Sequence, residues 1–190
     1  MPNIYIHGAH ATPETFNYIR KNIGKSDDIM ISYSSVHSFK NNLKDMIQQI
    51  QYEKEITFIA HSLGGVYALY LANQFPKKVQ QTLSMSTPYG GSSQSNLVKW
   101  LMPTNQLFKD IASHNPVIQG ALTLPLPCPW TNIVSTRGHH PWLFESNDGV
   151  VTVASQKARP DMQLIDIHVN HYEIVISEKT MSIINRLIQT

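Results

Sequence analysis

The sequence predicts an α/β fold, a three-layer α/β/α sandwich around a mostly parallel sheet of about six strands. Short apolar runs rich in β-formers alternate along the chain with amphipathic helical segments, and this alternation favours parallel strands joined by crossover helices. The strand segments are continuous apolar runs, as expected where helices cover both faces of a sheet. The predicted strands are 3–6, 28–33, 55–59, 79–85, 132–136 and 163–169.

The helices are predicted from apolar residues at helical spacing. Segment 12–23 opens with Pro-Glu, and in segment 38–52 four apolar residues from Leu43 to Ile50 occupy positions i, i+3, i+4 and i+7. A helix after Ser62 should end at Phe75-Pro76, and segment 180–190 should form the last helix.

Composition narrows the classes of function. A chain of 190 residues suits one domain over 1–190, and a net charge of +2 without long basic runs does not favour nucleic-acid binding. The single cysteine, Cys128, excludes an intramolecular disulfide. No apolar run is long enough for stable membrane insertion and the chain opens without a charged-then-apolar leader, so the expected location is cytoplasmic.

One long connection interrupts the alternation of strands and helices. Residues 92–127 contain several prolines and many apolar side chains, among them Trp100 and Phe108. Long connections in compact domains are usually functional. The segment is therefore predicted either to be a looped helix that packs on the core or to form a cap or lid that offers apolar surface to the hydrocarbon part of a substrate.

The stretch around Ser62 is the strongest chemical signal in the chain. It lies between an apolar strand and an apolar helix, with the small residues Ala60 and Gly64 two places to either side. A serine on a sharp strand-to-helix turn needs small neighbours, because backbone approaches it closely. The pattern predicts a nucleophile elbow; the alternative is a tight turn whose serine merely caps the next helix.

A serine nucleophile needs a base to accept its proton and an acid to orient that base. Asp148 follows the predicted fifth strand and His171 follows the sixth, so both should reach the edge of the sheet where Ser62 lies. The chain order Ser62, Asp148, His171 matches one serine-hydrolase arrangement and differs from the others. His168 is the competing base, expected to face the sheet, and Glu145 is the competing acid.

An oxyanion hole requires two N–H donors. The amide of Leu63, at the start of a helix, is one candidate, and the amide of Ala9, after the first strand and Gly8, is the other. The nine histidines, including the His139-His140 pair, show no metal-ligand spacing, so no metal is predicted.

Four local motifs resemble those of the α/β-hydrolase superfamily in its lipase-like branch, and they follow that family's order. They are H-G-A at 7–9, A-H-S-L-G-G at 60–65, S-T-P-Y-G-G-S at 86–92 and D-G-V-V at 148–151. The resemblance implies a minimal form of the fold, similar in size to small single-domain bacterial lipases. It also implies hydrolysis of carboxylic or lipid esters with Ser62 as nucleophile, His171 as base, Asp148 as its orienter and no cofactor. Tyr89 departs from the pattern, because the family usually has histidine there.

The expected partner is accordingly a small-molecule acyl ester. His10, Tyr89, Trp100 and Phe108 are the candidates for substrate contact. The same site chemistry would serve a thioesterase, an amidase or a transacylase, because acyl transfers differ mostly in the leaving group. A non-catalytic binding protein on the same scaffold is the third hypothesis.

Overall fold

The fold is built on one six-stranded sheet in which every strand pair is parallel, so the predicted α/β class and strand number are confirmed. The computed structural model describes residues 1–91, 107, 110, 112–140 and 145–188. The strand order is β2-β1-β3-β4-β5-β6. The strands are β1 Asn3–Ile6, β2 Ile29–Ile31, β3 Ile56–His61, β4 Val79–Met85, β5 Trp130–Ser135 and β6 Gln163–Ile167.

The helices connect successive strands. Segment 12–23, predicted as one helix, is a 3₁₀ turn at Pro13–Phe16 that leads into an α-helix, an arrangement common at helix N-termini. A second 3₁₀ turn spans Glu173–Val175. The α-helices are α1 Asn17–Ile23, α2 Phe39–Ile50, α3 Leu63–Gln74, α4 Pro116–Thr123, α5 Val153–Gln156 and α6 Glu178–Ile188.

Side chains that alternate along the strands build two apolar layers. Ile4 and Ile6 of β1 face the layer formed with α2 and α3, whereas Tyr5 faces the layer formed with α1 and α6. Helix α3 is apolar almost all round, which fits its nearly complete burial against the sheet. The three-layer arrangement therefore follows from the continuous apolar runs.

The two edge strands are shorter than predicted. Segment 28–33 contributes only Ile29–Ile31, and segment 163–169 only Gln163–Ile167. Among the described strands each of them pairs with one neighbour only, and β6, at the edge of the sheet, is partly exposed.

The described part of the predicted cap segment is anchored to the body. Leu107 is fully buried, Asp110 Oδ2 accepts a hydrogen bond from the Phe39 amide, and the Tyr70 hydroxyl donates to the Val117 carbonyl. Helix α4 lies in this segment. Trp100 and Phe108 lie outside the described residues, so the cap and its substrate contacts stay predictions.

Among the residues described, no helix has the length and apolar character needed to cross a membrane.

Candidate active site

The candidate residues gather where the parallel strands end. The Ala9 loop follows β1, the Ser62 turn follows β3, and these two strands are neighbours in the sheet although β2 separates them in the chain. From β1 the chain adds β2 on one side of the sheet and then β3 to β6 on the other side. In parallel sheets such a switch point typically forms a crevice at the carboxyl ends of the strands. The strand order thus places Ser62 at this switch point.

Ser62 has the strained backbone expected of an elbow. Its φ of 54° and ψ of −126° lie outside the regions that L-residues ordinarily adopt. The Ser62 amide donates to the Met85 carbonyl at 2.8 Å, which ties the turn to the end of β4. The side chain is half-buried and does not cap α3. The helix-cap alternative for this serine is therefore wrong.

The small residues around Ser62 are required by close packing. A Cβ on Gly64 would lie 2.0 Å from the Ile6 carbonyl oxygen, and a Cβ on Gly8 would lie 3.0 Å from the Ser62 Cβ. A Cβ on Gly65 would lie 2.1 Å from Thr87 Oγ1. The start of α3 therefore packs directly against the end of β1 and the loop after β4.

Asp148 is buried and its carboxylate is saturated with donors. Oδ1 accepts from the amides of Val150 and Val151 at 2.9 and 2.7 Å. Oδ2 accepts from Ser135 Oγ at 2.5 Å and from Gln156 Nε2 at 3.1 Å, and it lies 2.7 Å from His171 Nδ1. Burial alone would raise the pKa of this carboxyl, but the bonds from His171, Ser135 and Val151 outweigh it and hold the pKa below its usual value. Asp148 is therefore ionised at neutral pH.

His171 is held at three points. Besides its Nδ1 contact with Asp148, its amide donates to the Asp148 carbonyl at 3.0 Å, and its own carbonyl accepts from His61 Nε2 at 2.9 Å. Because Asp148 accepts at Nδ1, the neutral ring of His171 carries its proton there, and Nε2 is left to accept. The predicted acid and base are thus in direct contact, with the tautomer that general-base chemistry needs.

The ring of His171 approaches the Ser62 turn from the side of His61. The two imidazole centroids lie 4.9 Å apart, and His61 immediately precedes Ser62. Within the described residues the Ser62 hydroxyl makes no hydrogen bond, the one expected to His171 included. Such serine–histidine contacts are often long in free enzymes and shorten when substrate binds.

The two candidate oxyanion donors flank this turn. Leu63 opens α3, so its N–H has no acceptor within the helix and lies at the positive end of the helix dipole. Ala9 follows Gly8, whose Cα packs against Ser62. Their use as a pair stays a prediction.

The remaining predicted site residues lie in other environments. The structure corrects the assignment of Tyr89 to substrate contact: its side chain is fully buried, and its hydroxyl donates to Ser84 Oγ and accepts from Trp130 Nε1, which is core packing. His10 is exposed with a φ of 54°, in the Ala9 loop. His168 was expected to face the sheet, but it lies exposed beyond the end of β6; Glu145 is also exposed.

Three buried residues of this site escaped the sequence analysis: Ser135, Gln156 and His61. Ser135 ends β5 and Gln156 ends α5, and both bond to Asp148 Oδ2. A polar residue at the last position of a buried strand was the available signal for Ser135. Gln156 had no such signal, because the four-residue helix that carries it has no visible periodicity.

In the part of the chain that the structure describes, no three histidine, cysteine or carboxylate side chains are grouped so that they could hold a metal ion. His139 is exposed and His140 is half-buried, on the loop after β5.

Comparison by sequence finds distant relatives only. No family model matches the chain. Uncharacterized proteins of Mycobacterium bovis and Mycobacterium tuberculosis are 32% identical over 84 residues, which cover 42% of this chain and 24% of theirs. The match thus spans about a quarter of the length of these relatives.

Comparison by structure is much more extensive, although sequence identity is low. A carboxylesterase structure from Nitrososphaera gargenis has a TM-score of 0.67 at 15% identity and covers 99% of this chain and 89% of its own. The mature lipase BlEst2 of Bacillus licheniformis has a TM-score of 0.73 at 14% identity, covering 98% and 91%. Phospholipase PlaB of Legionella pneumophila has a TM-score of 0.83 at 12% identity, covering 100% of this chain and 59% of its own. At these identities the similarity establishes a shared fold.

Proposed function

We propose that this chain, which has the α/β-hydrolase fold, is a serine hydrolase that cleaves carboxylic esters through an acyl-enzyme. Ser62 is the nucleophile, His171 its general base, and Asp148 the carboxylate that orients and stabilises the imidazole. One observation carries the proposal: buried Asp148 holds the Nδ1 of His171 at 2.7 Å, and the His171 ring lies 4.9 Å from that of His61, the residue before the strained Ser62 turn.

The reaction begins with removal of the Ser62 proton. His171 Nε2 accepts it as Ser62 Oγ attacks the carbonyl carbon of the ester, and the resulting imidazolium is stabilised by Asp148. Collapse of the tetrahedral intermediate breaks the bond to the alcohol, which takes the proton from His171 Nε2. Water then attacks the acyl-enzyme with His171 again as base, and this step releases the acid and regenerates Ser62.

Negative charge on the carbonyl oxygen requires preorganised donors. The amides of Leu63, at the start of α3, and of Ala9, on the loop after β1, are the proposed donors. Fixed N–H donors of this kind typically contribute a factor of about 100 to 1,000 in kcat.

The structural comparisons support acyl hydrolysis. The proteins of similar fold described above are a carboxylesterase, a lipase and a phospholipase. The cleavage of lipid esters by this chain is part of the proposal and depends on the cap segment 92–127. Hydrolysis of thioesters or amides, or acyl transfer, would use the same residues.

Turnover of p-nitrophenyl esters tests the proposal. Ser62→Ala should lower kcat/KM by several orders of magnitude, roughly the effect of removing one triad member. Ser182→Ala, on the exposed side of α6, is the matched control and should keep wild-type activity. Equal turnover by wild type and Ser62→Ala would overturn the assignment of the nucleophile.

A panel of acyl chains defines the substrate class. Preference for long chains would support an apolar cap over the site, whereas preference for acetate would mean that segment 92–127 only packs on the body. Assays with acyl-CoA and amides of the same acids separate an esterase from the other acyl hydrolases.

A further inference from the structure

Asp148 has more donors than orientation of His171 requires. The two backbone amides on Oδ1 fix the plane of the carboxylate. Oδ2, the oxygen that contacts His171, nevertheless receives two further side-chain donors, from Ser135 and Gln156. These donors therefore compete with the imidazole for the same oxygen.

Ser135 is held so that its hydroxyl points at Asp148. Gln156 Oε1 accepts from the Ser135 amide at 3.0 Å, and Gln156 Nε2 donates to the Ser135 carbonyl at 3.1 Å. The Ser135 hydroxyl also lies 2.7 Å from Ser86 Oγ and 3.3 Å from Gln156 Oε1. Because an ionised carboxylate only accepts, the Ser135 hydroxyl donates to Asp148, and Ser86 in turn donates to Ser135. All three side chains are fully buried, so water does not substitute for this chain of donors.

A carboxylate that shares its negative charge with several donors attracts a neighbouring cation less strongly. Oδ2 is the atom through which Asp148 stabilises protonated His171. On the premise of the function proposed above, we propose that Ser135 is a positioning residue that weakens the attraction of Asp148 for the imidazolium of His171. His171 then stays unprotonated, and able to accept the Ser62 proton, to lower pH than the Asp148 contact alone would permit.

The other groups that face His171 do not depend on the Ser135 hydroxyl. His61 lies 4.9 Å away, ring to ring, and Tyr172 lies 5.5 Å away. The Arg137–Glu173 ion pair lies on the outer side of the His171 loop, and Glu173 also accepts from the Asn170 amide. A change at Ser135 therefore acts on His171 through Asp148.

Proton NMR titration of the His171 ring tests this inference directly. The signal is assigned by its loss in His171→Gln. In Ser135→Ala the pKa of His171 should rise, by roughly half a unit to one unit. The acidic limb of the kcat/KM profile for p-nitrophenyl acetate should move to higher pH by the same amount, a change that loss of structure alone would not produce.

Thr136→Val is the matched control. It deletes the hydroxyl of the next residue, which bonds to the Ile167 carbonyl and not to Asp148, so the His171 titration should not move. Should Ser135→Ala fail to fold, Ser86→Ala removes the donor one step further along and should shift the titration in the same direction by a smaller amount.

Two results would overturn the inference: an unchanged or lowered pKa of His171 in the folded Ser135 or Ser86 variant, or an equal rise in Thr136→Val. Absence of ester turnover in the wild type is a different result, because it counts against the proposed function while the NMR titration still decides the role of Ser135.

Discussion

His61 links the Ser62 turn to the His171 loop. It is fully buried, and its Nε2 donates to the His171 carbonyl at 2.9 Å, which fixes its tautomer. Its Nδ1 is buried and has no hydrogen-bond partner among the residues that the structure describes. Burial, together with the neighbouring His171, lowers the pKa of His61 to about 3, so this imidazole is neutral under all ordinary conditions. A motif histidine that the sequence left without a role is thus a donor that fixes the position of another histidine.

Two substitutions at His61 should separate the effect of its Nε2–H donor from the effect of its ring packing. His61→Phe keeps a ring but leaves the buried His171 carbonyl unpaired, and kcat for p-nitrophenyl acetate should fall by roughly tenfold to a hundredfold with little change in KM. His61→Gln keeps an N–H donor at similar reach and should recover most of the lost kcat. If the two variants have the same kcat, the hydrogen bond to His171 does not position the base.

Helix α3 begins where the sheet leaves no room for side chains. A Cβ added at Gly64 would clash with backbone atoms of Ile6 and His7. These atoms belong to β1 and the loop after it, so they cannot shift aside independently. The Cβ of Gly65 meets the buried side chain of Thr87. The glycines after Ser62 are therefore required by the contact between helix and strand as much as by the turn itself.

Two glycine-to-alanine substitutions should differ in their effect on stability. Gly64→Ala forces a Cβ to 2.0 Å from a backbone oxygen and should lower the free energy of unfolding by about 3 kcal/mol or more. Gly24→Ala, at a φ of 72° with nothing within 4 Å, costs only the left-handed backbone conformation, about 1 kcal/mol. Urea unfolding monitored by circular dichroism measures both. Similar losses in the two variants would refute the crowding at the start of α3.

For the molecule as a whole, the buried histidines next to the candidate site make stability depend on pH. Burial lowers the pKa values of both His61 and His7, so each stays unprotonated in the folded chain under conditions where the unfolded chain binds a proton. Stability therefore falls as pH decreases below about 6.5, and the share of His61 continues to fall until pH reaches its folded pKa of about 3. Asp148, whose pKa is lowered in the folded chain, contributes stability that is fully present above the ordinary carboxyl pKa of 3.8. This stability is lost as pH falls from there through the lower folded pKa.

The free energy of unfolding should accordingly decline between pH 6 and pH 4, because this range lies between the unfolded pKa of histidine and the folded pKa of His61. Within this range His61 contributes a slope of about 1.4 kcal/mol per pH unit, because its imidazole binds a proton in the unfolded chain and none in the folded chain. His61→Gln removes the contribution of His61 and should make the slope shallower. His37→Gln, at an exposed position, should leave the slope unchanged. Unfolding titrations in urea at several pH values measure the slope. An equal slope in wild type and His61→Gln would contradict the buried, neutral state of His61.

The α/β class, a mostly parallel sheet of about six strands and the chain order of Ser62, Asp148 and His171 follow from the amino-acid sequence alone. Hydrophobic runs and turn residues are local signals, and parallel strands bring their carboxyl ends to one edge. Tertiary packing settles which polar groups meet at that edge: Ser135 and Gln156 bond to Asp148, and His61 bonds to the His171 loop. It also places Tyr89 in the core with Trp130. These contacts join distant parts of the chain, and their direction depends on how the side chains orient in the packed interior, which has no periodic trace in the sequence.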